Sequence, residues 1–166
     1  MHIGHTERAL DHLWRRKCVI RKGRILVVDD DESVLRSLSL VLKDAGYVVD
    51  TAETGKEAID KSETNIYNLA IIDVRLPDME GTKLLTTMRD AAREMTRIVL
   101  TGYPTFKNMA EATIRGADGY LIKPVDMNTL LKTVDEYLRK RHHKNRRSRK
   151  RDRAAKTQAK ELRAIA

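Results

Sequence analysis

The chain of 166 residues is 41% hydrophobic but only 4% aromatic, which is enough length for one domain of ordinary size and makes its core aliphatic. No apolar run approaches the ~20 residues of a membrane-spanning helix, the N-terminus carries charges where a signal peptide needs an apolar stretch, and the single cysteine, Cys18, excludes an internal disulfide. A soluble, cytoplasmic protein without membrane insertion is the expectation.

The net charge of +9 is unevenly distributed. Residues 1–23 carry six Lys or Arg against two acids, residues 24–138 carry 14 against 20, and residues 139–166 carry 13 against two. The middle is therefore acidic and the basic character lies at the two ends. Three segments follow: an N-terminal extension over 1–23, a folded domain over 24–141, and a basic tail over 142–166 that is either helical or disordered. In the first, Leu10, Leu13, Trp14 and Cys18 are spaced to line one face of a short helix. His2, His5 and His12 have no matching Cys or carboxylate framework and are not read as a metal cluster.

The regular text begins at Arg24. Ile25-Leu26-Val27-Val28 is a fully apolar run that stops at Asp29-Asp30-Asp31-Glu32. Such a run suits a strand covered on both faces, as in a parallel sheet. Ser33 is the expected cap of a helix whose apolar positions Val34, Leu35, Leu38, Val41 and Leu42 recur at helical spacing until Gly46. Asp31 and Glu32 read as solvated acids at the helix start. A short strand over Tyr47 to Ala52 and a helix over Gly55 to Glu63 come next. Leu69-Ala70-Ile71-Ile72 is a second buried run, and it delivers Asp73 at its carboxyl end, before a loop with Pro77 and Gly81. Gly81 to Arg89 is a helix, and Ile98-Val99-Leu100 a strand ending at Thr101-Gly102. Pro104 stands where a helix start tolerates proline, with Met109, Ala110, Ala112 and Ile114 continuing that helix to Gly116. The last strand, Tyr120-Leu121-Ile122, runs directly into Lys123-Pro124. A final helix from Met127 to about Arg141 turns Leu130, Leu131, Val134, Tyr137 and Leu138 inward.

Five strands alternating with five helical patterns imply right-handed crossovers and a doubly wound parallel α/β sheet. Four of the five strands then end in a functional group at one sheet edge: Asp29 and Asp30, Asp73, Thr101 and Lys123. Carboxylates pressed together repel and raise one another's pKa unless a divalent cation neutralises them. Oxygen ligands of this kind favour Mg²⁺. An aspartate beside Mg²⁺ is a nucleophile toward phosphorus, and Lys123 with the Thr101 hydroxyl would hold phosphoryl oxygens.

The motifs LVVDDD (Leu26 to Asp31), IIDVRLPDMEG (Ile71 to Gly81), VLTG (Val99 to Gly102) and GYLIKP (Gly119 to Pro124) resemble those of the CheY-like receiver domains of two-component response regulators. The resemblance covers Arg24 to Arg141 and implies a flavodoxin-like sheet of order 2-1-3-4-5. It implies further that Asp73 is the phosphoacceptor, that Asp30 binds Mg²⁺ directly with Asp29 acting nearby through water, and that the Arg75 backbone carbonyl completes the protein's share of the metal shell. Thr101 looks like the switch hydroxyl, Tyr120 like the switch aromatic, and Lys123-Pro124 like the family's cis peptide. Arg75 and Tyr103, the second residues after the acceptor and after the switch hydroxyl, border the path of the water that removes the phosphoryl group. A long cation and a bulky aromatic there imply slow self-dephosphorylation. On this reading the chain catalyses only its own phosphorylation and dephosphorylation. Its partners would be a sensor histidine kinase or phosphotransfer protein and a downstream protein on the last two helices and last strand, with a homodimer on phosphorylation also admitted.

Two rivals come from the same residues. Asp29-x-Asp31 after a strand loosely resembles the haloacid dehalogenase-type phosphatase motif, but Glu32-Ser33 replaces that family's usual Gly-Thr and the Asp73 loop is left unexplained. Residues 139–153, RKRHHKNRRSRKRDR, have the cation density of a phosphate-backbone binder, so a nucleic-acid-binding protein with a regulatory receiver is the alternative.

Overall fold

The computed structural model describes residues 22–91, 94–141 and 143; the expected N-terminal helix and nearly all of the basic tail lie outside them. The strands are β1 (Arg24–Val28), β2 (Val48–Ala52), β3 (Leu69–Asp73), β4 (Thr96–Thr101) and β5 (Gly119–Ile122), and the helices α1 (Glu32–Asp44), α2 (Gly55–Thr64), α3 (Gly81–Ala91) and α4 (Phe106–Ile114). A fifth helix, α5, runs over 127–141. All strand pairings are parallel, in the order β2-β1-β3-β4-β5, which is the sheet that the motifs implied.

The uninterrupted apolar runs are explained by helices on both faces. Successive strand residues point to opposite sides. On one side Ile25, Val27, Leu69, Ile71, Ile98 and Leu100 pack against Leu35, Leu38 and Leu42 of α1 and Leu130, Val134 and Leu138 of α5. On the other, Leu26, Val28, Ala70, Ile72 and Val99 meet Ala58 of α2, Leu84, Leu85 and Met88 of α3, and Ala112 of α4. Every residue of β3 and β4 is buried. Each fully buried Leu or Ile contributes about 1.5–3 kcal/mol, so the two central strands anchor the site they carry.

Three local expectations change in the fold. Asp31, not Ser33, caps α1: its Oδ1 accepts from the Ser33 N–H at 2.8 Å, the Val34 N–H at 3.4 Å and the Ser33 hydroxyl at 2.6 Å. A carboxylate is a stronger acceptor than a hydroxyl for the exposed N–H groups and suits the helix dipole, and Ser33 becomes a donor. At α4 the cap is Thr105, whose hydroxyl oxygen accepts from the Asn108 N–H at 3.1 Å, and Pro104 stands one residue before it. The apolar residues of α4 also divide differently from the simple pattern. Ala112 alone is buried, while Phe106 is 90% and Ile114 80% exposed.

Candidate functional site

Strand register assembles the site. Val28 pairs with Ile72, so one further residue sets Asp29 beside Asp73. Asp73 pairs with Leu100 and Thr101 with Ile122, which brings the Thr101 hydroxyl and then Lys123 to the same carboxyl edge. In this strand order the chain leaves β1 and β3 in opposite directions across the sheet, and the crevice between their ends is where ligands bind in open α/β folds.

The loop after Asp73 is pinched shut. Arg75 and Glu80 form an isolated antiparallel bridge, and the Gly81 N–H donates to the Val74 carbonyl at 2.8 Å. A Cβ on Gly81 would overlap the Asp73 carbonyl oxygen, so no larger residue fits there without moving the acceptor strand. Asp78 fastens the loop to α2, its two carboxylate oxygens accepting from the Gly55 and Lys56 N–H groups at 2.8 Å each. These backbone hydrogen bonds hold its carboxyl below the usual carboxylate range.

A cleft of about 580 Å³ opens above the edge. It is lined by the Asp29-Asp30-Asp31 run, the Asp73-Val74-Arg75 run, the Thr101-Gly102-Tyr103 run, Asn108 and Lys123. Asp29 is fully buried, Asp73 and Thr101 are buried and Asp30 is exposed. Lys123 joins two of the acids: Nζ lies 2.6 Å from Asp29 Oδ2 and 3.2 Å from Asp73 Oδ1. Asp29 Oδ1 accepts from the Asp31 N–H at 3.0 Å, and Asp73 Oδ2 from the Arg75 N–H at 3.1 Å. Burial pushes the Asp29 carboxyl up, against the opposing pull of the Lys123 hydrogen bond. At Lys123 burial disfavours the charge, but the hydrogen bond to Asp29 and the charges of Asp73 and Asp29 outweigh it and its pKa is raised.

Asp29, Asp30 and Asp73 each offer a carboxylate oxygen, and the three oxygens lie within 4.8 Å of one another. A divalent cation with hard oxygen ligands fits this donor set, the only such acidic group among the described residues.

The structure thus gathers Asp29, Asp30, Asp73, Arg75, Thr101, Tyr103 and Lys123 into one cleft. Arg75 and Tyr103 also touch: the guanidinium lies 4.2 Å from the centroid of the tyrosine ring. Tyr120 stands apart, half-buried against the core on the α2, α3 and α4 side, with its hydroxyl donating to the Met109 carbonyl of α4. The Lys123-Pro124 bond is cis. Asn108, in the first turn of α4, also lines the cleft, and no local signal in the sequence marks it.

A family model described as the response regulator receiver domain matches residues 25–135. The chain belongs to this family. Among solved structures, the CheY-like receiver domain protein of Methanospirillum hungatei JF-1 is 40% identical, with a TM-score of 0.71 over 73% of this chain and 97% of that one. A response regulator of Burkholderia pseudomallei, solved with a phosphorylated aspartic acid, calcium ion and citrate, is 30% identical, with a TM-score of 0.63 over 65% of this chain and 64% of that one. The probable transcriptional regulatory protein SilR of Salmonella typhimurium is 36% identical over 117 residues, 70% of this chain and 51% of SilR; the chain spans about half the length of that relative. This is the receiver domain of a two-component response regulator, a signalling module. No described helix is long and apolar enough to cross a membrane.

Proposed function

We propose that this receiver accepts a phosphoryl group on Asp73 from a sensor histidine kinase or phosphotransfer protein, with Mg²⁺, and thereby switches a partner-binding surface. The observation that carries the proposal is the pairing of three carboxylates within 4.8 Å with a lysine that reaches both Asp29 and Asp73. The phosphorylated aspartic acid of the Burkholderia pseudomallei relative supports it.

The Asp29, Asp30 and Asp73 carboxylates with the Arg75 carbonyl would hold Mg²⁺. When bound, it neutralises the clustered acids and the charge on the phosphoryl oxygens. An Asp73 carboxylate oxygen gives its electron pair to phosphorus; the phosphorus–nitrogen bond of the donor phosphohistidine breaks and its electrons return to the imidazole. Lys123 then exchanges its contact with Asp73 Oδ1 for a phosphoryl oxygen while remaining on Asp29. The Thr101 hydroxyl, now accepting from the Tyr103 N–H at 3.1 Å, donates to another phosphoryl oxygen. Its movement frees space for the Tyr120 ring, which gives up the Met109 carbonyl and turns inward. The face formed by α4, β5 and α5, with Phe106, Ile114 and Ile122 exposed, changes as a result and meets the downstream partner. The Arg75 guanidinium stacked on Tyr103 crowds the route of attacking water, which supports slow self-dephosphorylation.

Intact-mass spectrometry after incubation with acetyl phosphate tests the chemistry. The expected result is a gain of one phosphoryl group that requires Mg²⁺ and is absent in Asp73→Asn. A natural chain that gains nothing and also forms no stable beryllium fluoride complex would sink the proposal.

A second reading is favoured by the charge of residues 139–166, thirteen Lys or Arg against two acids: nucleic-acid binding through residues 139–153, with the receiver as the regulatory module. Salt-sensitive binding of RNA or DNA by the full chain, lost in a chain ending at Lys140, is its expected signature. Salt-insensitive binding, or none, removes it.

A further inference from the structure

Tyr103 is held from three sides. Its ring lies under the Arg75 guanidinium at 4.2 Å. Its N–H donates to the Thr101 hydroxyl oxygen at 3.1 Å. Its carbonyl accepts from the Thr105 N–H at 3.0 Å and from the Asn108 carboxamide Nδ2 at 3.2 Å. The Thr105 bond comes from the N-cap of α4 and spans only two residues. Asn108, by contrast, belongs to the first turn of α4, where its own N–H is fixed by the Thr105 cap at 3.1 Å. Its side chain is half-buried and lines the same cleft as Asp73, Thr101 and Lys123.

We infer that Asn108 is a positioning residue for phosphoryl lifetime: its carboxamide ties the Tyr103 backbone to α4 and so keeps the Tyr103 ring, with Arg75 on it, over the mouth of the cleft. Tyr103 is 62% exposed, and the stacking with Arg75 is by itself a weak contact with water on its outer side. A backbone tether converts that contact into a cover by limiting where the ring goes. The same bond gives α4 a direct hold on the residue whose N–H engages the switch hydroxyl. Movement of Thr101 toward a phosphoryl group therefore pulls at the start of α4 through Tyr103 and Asn108, by a route separate from Tyr120, which reaches α4 one residue further on at Met109.

The lifetime part of this inference rests on Asp73 being the phosphoacceptor; the tether itself does not. Two measurements on the full chain separate them. In the unphosphorylated protein, Asn108→Ala is expected to raise amide hydrogen exchange across residues 102–105 while exchange in β1 and β3 stays as it was. In the phosphorylated protein, Asn108→Ala is expected to speed phosphoryl loss about two- to five-fold, the factor to which an exposed cation–π contact corresponds, and to have no such effect when Tyr103 is already Ala. A residue that merely stabilises α4 would speed loss equally in both backgrounds, and that outcome overturns the inference. Unchanged exchange across 102–105 overturns it as well. A chain that takes no phosphoryl group at all removes the acceptor chemistry, and the exchange measurement then decides the tether alone.

Discussion

The two edges of the sheet use polar groups in opposite ways. At the amino edge, side chains close off the backbone. Asn68 accepts from the Arg24 N–H at 2.7 Å through Oδ1, while its own N–H donates to the Arg24 carbonyl at 2.8 Å and its carbonyl accepts from the Thr96 N–H at 3.0 Å. Asp118 accepts from the Arg97 N–H at 2.8 Å and donates its own N–H to the Arg97 carbonyl at 2.7 Å. At the carboxyl edge, Asp29, Asp73 and Lys123 face one another and an open cleft, and Asp30 adds a third carboxylate. Polar groups whose bonding capacity is met by strand ends fasten a sheet. Those left facing each other across a crevice are available to a ligand.

The sharpest way to break this contrast is to disturb the pinched loop at the carboxyl edge. Gly81→Ala places a Cβ on the Asp73 carbonyl oxygen, and an overpacked position of this kind is expected to cost about 3 kcal/mol, read as a shifted midpoint in urea, with labelling of Asp73 lost alongside. At the other edge, Asp118→Ala takes the acceptor from the Arg97 N–H and leaves the buried Arg97 side chain without that carboxylate. The expected loss is about 1.5–3 kcal/mol, with the rate of Asp73 labelling by acetyl phosphate unaltered. If labelling falls in step with stability, the two edges are not independent.

Asp30→Asn should do the reverse of Asp118→Ala. Its carboxylate reaches within 4.8 Å of both Asp29 and Asp73, so its neutralisation is expected to stabilise the chain by about 0.5–1 kcal/mol in the absence of Mg²⁺ while weakening Mg²⁺-dependent labelling. An unchanged melting temperature in chelator would remove the repulsion argument. Arg75→Asn and Tyr103→Ala are each expected to speed phosphoryl loss about two- to five-fold, with the pair together giving little more than either alone because both remove one stacked contact. Fully multiplicative effects would separate them.

The smallest effect concerns pH. Asp78 has its carboxyl pKa lowered by the Gly55 and Lys56 N–H bonds. A carboxyl with a depressed folded pKa contributes stability that is present above its unfolded value of about 3.9 and lost as pH falls through the lower folded value. Asp78→Asn is therefore expected to flatten the stability curve below about pH 4 and to alter its shape little near neutrality. A mutant whose acid limb overlays that of the natural chain would mean that the loop is not held to α2 by this carboxylate.

Much of this site is legible in the sequence because its residues end buried strands. Ile25 to Val28 and Leu69 to Ile72 lack alternation, which is the mark of a strand covered on both faces, and the next residue in each case is a carboxylate. The contacts that tune the site were not legible. The resemblance puts Arg75 and Tyr103 on one water path but not in contact, and no period or motif in the chain marks Asn108 on the Tyr103 carbonyl or Asp78 on the start of α2, which join residues 5 and 23 positions apart. The capping of α1 by Asp31 is hidden for a different reason: Asp31 and Ser33 are both good cap residues, and only the backbone at the end of β1 chooses between them.

The sequence by itself determined which segments are buried and, through the order of strands and acids, which functional groups reach one edge. That follows from local chemistry, since a continuous aliphatic run has only one low-energy place to go, and a polar residue at its end stops the run. The tertiary structure alone decided which neighbours those groups meet. Strand register set Asp29 beside Asp73, and helix placement left Phe106 and Ile114 of α4 outside while bringing Asn108 into the cleft. Contacts between elements depend on how whole faces pack together, and no single stretch of the chain contains that information.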